Sequence, residues 1–344
     1  FTAQTPAQIQ TTQTTQTATS SSSNTSGGTI TLTASSSVTA TPTATMTANA
    51  TTSPASAPAD NAQITGAGGS INIAAPQIST QTGSVMQANG NNGPGGNFNL
   101  QATQLAIAGS VQAIGNTGGT ITAVANTSNI SAGASLQSNG NNGPGGAITL
   151  QTTQNQIIHN AQLQANGSGN GGNIQITTTQ GDINLQSALI QTNGAAGRGG
   201  QIAIAATNST SIASSTVEAT GYTQGGTIKV GNDAQNTNNI GNTLPFSILT
   251  NLDAASILNA SQTNLTNTTN GGYIETSGQT INLLASINAG RGGMWLLDPN
   301  NVIISATATS GGSLPSFTAG ATTSYVKDTD IQNQINAGTS VTIV

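Results

Sequence analysis

Between residues 27 and 293 ten Gly-Gly doublets punctuate this chain, and each is followed two residues later by a large apolar side chain. These are Ile30, Ile71, Phe98, Ile121, Ile148, Ile174, Ile202, Ile228, Ile274 and Trp295. Two residues further on, eight of the ten place another: Leu32, Ile73, Leu100, Leu150, Ile176, Ile204, Val230 and Leu297, with Ala123 and Thr276 as exceptions. Apolar residues at period two directly after a glycine turn mark a strand with one buried face. The second glycines recur every 21–28 residues in seven of nine intervals. The other two intervals, 41 and 46 residues, each hide an extra coil or an insertion.

A second pattern precedes most doublets. Met86-Gln87-Ala88-Asn89-Gly90 returns around Val111-Gln112, Leu136-Gln137, Leu163-Gln164, Ile190-Gln191 and Val217-Glu218. A short third strand lies between the two patterns, as in Leu105 to Ile107, Ile157-Ile158 and Ile183 to Leu185. Three short strands and three turns per coil predict an all-β fold, a three-sided parallel β-solenoid with coils of about 21–28 residues. A helical reading fails, because the period is two and both glycine and β-branched residues are poor helix formers.

Parallel stacking places equivalent residues of successive coils about 4.8 Å apart. Identical amides at that spacing hydrogen-bond into ladders. Gln87, Gln112, Gln137, Gln164 and Gln191 are the expected ladder, and Glu218 is a substitution within it. The first large apolar residues after the doublets, from Ile71, Phe98 and Ile121 through to Trp295, are the expected core column. Like charges stacked this way would repel, which accounts for a charged content of 4% against about 25% in ordinary soluble domains. Glycine is expected where the chain turns with positive φ, at the Asn-Gly and Gly-Gly corners.

The composition excludes several classes. Four Lys plus Arg in 344 residues cannot neutralise a run of phosphates, so nucleic acid is not an expected partner. Cysteine is absent, which removes disulfides and thiolate metal sites. No apolar run reaches the roughly 20 residues of a membrane-spanning helix. The chain starts at Phe1 without a signal peptide and reads as a processed or excised segment of a longer precursor.

Three regions are expected. Residues 1–26 form a Thr/Gln/Ser-rich segment, either a linker or an irregular first coil. Residues 27–293 hold the β-helix repeats, with a looser stretch over 34–60 and a loop insertion within 231–271. Residues 294–344 form a C-terminal β-helix module that ends in mid-strand, making Val341, Ile343 and Val344 the candidate end-to-end contact.

The stretch Gly292-Gly293-Met294-Trp295-Leu296-Leu297-Asp298-Pro299-Asn300-Asn301-Val302 resembles the GG-x-WLLDP-x-x-(V/I) segment of large filamentous haemagglutinin-type exoproteins of two-partner secretion. Residues 335–343 resemble the stretch that comes after this segment in those exoproteins. The likeness covers 27–344 in general character and about 294–344 in specific motif. It implies a right-handed β-helix, export to the bacterial surface or medium, and an adhesive or structural role. The amino-terminal secretion domain of such exoproteins is not recognisable in this sequence.

Enzymatic readings find little support. Polysaccharide-cleaving β-helices need clustered acids with a cation beside them. The acids here are Asp60, Asp182, Glu218, Asp233, Asp253, Glu275, Asp298, Asp328 and Asp330, one per coil or fewer. Asp328 and Asp330, next to Lys327, read as a solvated turn. His159 is the one histidine and reads as an ordinary strand or turn residue. Gly181-Asp182 occurs once, against one aspartate per turn in calcium-binding solenoids. Asp298-Pro299 reads as a turn. No catalytic, cofactor or metal residue is therefore expected. The expectation is a non-enzymatic, secreted structural protein that self-associates end to end. The alternative is the shaft of an adhesin that meets a cell-surface receptor or glycan.

Overall fold

The computed structural model describes residues 9–11, 14–19, 26–50, 66–232, 244–264, 266, 269–306 and 323–344. Asp60, Asp233 and, within the 34–60 and 231–271 stretches, residues 51–60, 233–243, 265, 267 and 268 lie outside them. The protein is all-β, built on long parallel sheets, and α1 (Asp328–Asn336) is the only helix among the described residues.

Three ladders of parallel strands recur in a fixed order along the chain. Ladder 1 begins with Thr29–Ala34 and the first halves of Ser70–Thr80 and Asn97–Ile107. It continues through Thr120–Ala125, Ala147–Thr152, Asn173–Thr178, Gln201–Ala206, Thr227–Val230, Tyr273–Gly278, Met294–Pro299 and Ser340–Ile343. Ladder 2 runs from Ser37–Ala40 and the second halves of the two long strands to Thr280–Leu283. Ladder 3 is a nine-stranded sheet of short strands from Thr45–Thr47 to Ser286–Asn288. Eleven strands in ladder 1 at about 4.8 Å give an axis on the order of 50 Å.

Most strands have one face in and one face out, whereas Gln201–Ala206 and Tyr273–Gly278 are buried on both. Within Ala147–Thr152 the side chains of Ile148 and Leu150 are buried, and those between them are partly exposed. Registers keep like residues in line: Phe98 opposes Ile71 and Ile121, and Ile148 opposes Ile121 and Ile174. The strands alone would be too short to stand in water. They persist because each buries its apolar face against the next coil and donates its N–H groups along the stack.

The corner glycines are needed for a different reason from the expected one. Of the ten doublets, only Gly292 has a positive φ, and none of the stacked corner glycines, Gly115, Gly140, Gly167, Gly194 and Gly221, does. What excludes a side chain is close approach. A Cβ on Gly119, Gly146, Gly172 or Gly200 would strike the carbonyl oxygen of the equivalent glycine one coil earlier.

Both ends depart from the repeat. At the N-terminal edge, Thr14–Thr19 runs antiparallel to Thr29–Ala34, and Ile9–Thr11 runs antiparallel to Ser37–Ala40. Near the other end, the chain leaves ladder 1 after Pro299 and returns at Ser340. In between, Val302–Ser305 pairs in parallel with Ser324–Lys327, and α1 follows. Asp328 and Asp330 therefore sit in the first turn of a helix, not in a loop turn, where their charge complements the helix dipole. The Ser324 hydroxyl accepts the Ile281 N–H at 2.8 Å, and Gln334 Nε2 donates to the Ile287 carbonyl at 2.6 Å. This excursion thus sits against the last strands of ladders 2 and 3. Asp298-Pro299 ends the strand Met294–Pro299 instead of forming a turn.

Candidate functional site

The most organised polar feature lies on the outer face of ladder 3. Gln87, Gln112, Gln137, Gln164 and Gln191 are in register and half-buried. Gln87 Nε2 donates to Gln112 Oε1 at 2.8 Å, Gln112 to Gln137 at 3.4 Å, Gln137 to Gln164 at 3.1 Å and Gln164 to Gln191 at 2.8 Å. Asn49 Nδ2 feeds the row from the N-terminal side, donating to Gln87 Oε1 at 3.3 Å. Glu218 ends it, since its Oε2 accepts from Gln191 Nε2 at 2.8 Å and from Asn193 Nδ2 at 3.4 Å. Every donor points towards the later coil, so the amides are aligned head to tail.

A second row runs beside the first. The side-chain carbonyl of Asn49 accepts the Asn89 N–H at 2.7 Å, and that of Asn89 accepts the Ile114 N–H at 2.9 Å. Asn139, Asn166 and Asn193 accept in the same way from Asn166, Asn193 and Thr220, at 2.8, 2.7 and 2.9 Å. These asparagines look like turn residues in the sequence. Their partners lie about one coil away, so only the stacking register reveals the second row.

The core column is brought together completely. Ile71, Phe98, Ile121, Ile148, Ile174, Ile202, Ile228, Ile274 and Trp295 are buried and successive in register. Trp295 satisfies its indole N–H on Thr276 Oγ1 at 3.1 Å, as a buried tryptophan requires. Val341 stands opposite Trp295 and Ile343 opposite Leu297, while Val344 is exposed. The interior column of ladder 2 is interrupted by Ser128 and Gln156. Gln156 Nε2 donates to Ser128 Oγ at 3.1 Å, but Gln156 Oε1 has no partner. Its neighbour Ile157 faces outward instead.

The acids stay apart, and among the described residues no three of His, Cys, Asp and Glu converge on one point. Asp182 Oδ1 accepts from Asn208 Nδ2 at 2.6 Å. His159 ends the strand Gln156–His159, with Asn160 Nδ2 at 3.3 Å from its Nε2. Burial pushes the Asp253 carboxyl up, but the Ser256 hydroxyl and the N–H groups of Ser214, Ala255 and Ser256 together hold it below its ordinary value. Burial raises the Asp298 carboxyl above its ordinary value. No helix among the described residues is long and apolar enough to cross a membrane.

No protein-family model matches the chain, and no curated protein matches it by sequence. Among solved structures it is similar to the crystal structure of the HMW1 secretion domain from Haemophilus influenzae. That likeness has 13% identity and a TM-score of 0.41, and it covers 93% of this chain and 99% of the other.

Proposed function

We propose that the chain is a non-enzymatic extracellular rod, a right-handed three-sided β-helix serving as the shaft of a secreted bacterial surface protein. The observation that carries this reading is the occupied N-terminal edge, where antiparallel strands already pair with the first strands of ladders 1 and 2. A second copy stacking in parallel register would meet antiparallel strands there in place of the first coils of ladders 1 and 2. That favours a discrete rod over an end-to-end filament built on Val341, Ile343 and Val344. The regular order of the three ladders supports three sides, and the strong right-handed bias of parallel crossovers, about 98%, supports the hand. The Trp-Leu-Leu-Asp-Pro resemblance supports export and a role in adhesion, with a receptor or glycan as partner of the whole protein.

Electron microscopy and sedimentation of the purified chain at near-physiological salt test this reading. Monomeric rods on the order of 50 Å are expected. Filaments with an axial repeat near one chain length would overturn the shaft and restore the self-assembling fibre.

A further inference from the structure

Two of the few charged residues are used in an unusual place. Lys229 and Glu275 are directly opposed on neighbouring strands of ladder 1, on its outward face, yet their side chains are 1% and 0% exposed. Lys229 Nζ lies 4.0 Å from Glu275 Oε2 and 5.8 Å from the centre of the Tyr273 ring. Both carboxyl oxygens of Glu275 are held: Tyr273 OH donates to Oε2 at 3.0 Å and Ser277 Oγ donates to Oε1 at 2.9 Å. Tyr273, Glu275 and Ser277 alternate along one strand, so all three present to the same face.

We propose that Lys229 and Glu275 are a cross-linking site, joined by an amide between Nζ and the Glu275 side-chain carbon. A fully buried ion pair carries a heavy desolvation cost, and condensation removes both charges. The fold supplies what the reaction needs. The reaction starts with one proton passing from Nζ to the carboxylate within this buried pair, which gives the amine and carboxylic acid that condense. The Nζ lone pair attacks the carboxyl carbon, and the hydroxyls of Tyr273 and Ser277 stabilise the charge that develops on oxygen. The Nζ–C bond forms and one C–O bond breaks. The departing oxygen leaves as water with its own proton and one from nitrogen. Nothing is oxidised or reduced. Fixing both groups on paired strands replaces a bimolecular encounter by an intramolecular one, and burial of both side chains keeps bulk solvent from the reverse hydrolysis. The product would close residues 229–275 into a ring and tie two coils together in a chain that has no cysteine.

The test is the intact mass of the full chain, followed by tryptic mapping after denaturation. The expected mass is one water below that of the sequence. Trypsin should then spare Lys229 and yield 199–291 as a single peptide, also lacking one water. The Lys229→Arg variant keeps the charge but cannot form the bond, and it should regain full mass and be cut at that position. A wild-type chain of full mass, or a peptide ending at Lys229, would overturn the cross-link and leave an ordinary ion pair.

Discussion

At Gly146 a Cβ would meet the carbonyl oxygen of Gly119, and at Gly119 that of Gly96. The obstacle in each case is backbone, which cannot rotate aside as a side chain would. Gly146→Ala should therefore lower stability by about 1–3 kcal/mol, the range of an overpacked site, read as a drop in the denaturant midpoint. Gln156 presents the opposite case, a buried amide whose oxygen has no partner. Replacing it together with its partner, as Gln156→Leu with Ser128→Ala, should stabilise the protein by about 1 kcal/mol; a lower midpoint in the double variant would refute this. Titration separates two carboxyls. Asp253 is held below its ordinary 3.8, so the stability it lends is complete above that value and is lost as pH falls through its folded value. Asp298 is raised above its ordinary 3.8, so it favours the fold in acid and loses that advantage as pH climbs through 3.8 to its folded value. Asp298→Asn should raise the melting temperature at neutral pH and leave it unchanged well below 3.8, whereas Asp253→Asn should lower it at neutral pH only.

Strands were more legible than the helix because their signal is local. Ile148 and Leu150 after Gly145-Gly146 declare a buried face within a few residues, and the same pattern recurs coil after coil. The helix Asp328–Asn336 offers only Ile331 and Ile335, four apart, and apart from two Gln its other residues are Asn, Asp and Thr of poor helix propensity. Its stability comes from contacts such as Gln334 with the Ile287 carbonyl, which no local pattern announces. Lys229 and Glu275 were opaque for a related reason. They occupy outward positions of the strand pattern, where exposure is the default, and their burial depends on the rest of the fold. The glutamine row was visible as recurrence, but its mechanics are directional. Gln137→Glu keeps the acceptor for Gln112 and removes the donor to Gln164. It should cost about 1–3 kcal/mol by denaturant unfolding, although the same carboxylate is tolerated at Glu218, where the row stops.

Across the molecule, successive coils are supported mainly by their neighbours, as in other stacked repeats. Deleting 147–172 removes one strand from each ladder and brings Ser135–Gln137 next to Leu189–Gln191, with Gly146 leading into Asn173. The shortened chain should fold to the same circular dichroism per residue, with a smaller denaturant m-value. A molten or aggregated product would mean that the coils are not interchangeable.

Five glutamine amides in line have two self-consistent orientations, all donors forward or all donors back. A carboxylate that only accepts permits just one of them at the end of the row. Glu218 touches Gln191 and Asn193, yet through the chain of bonds it dictates the sense of Gln87, five coils away. The stack thus carries a direction along its outer face that is fixed at both ends, by Glu218 and by Asn49, whose carbonyl is committed to the Asn89 N–H, much as a line of dominoes held at each end can lie only one way.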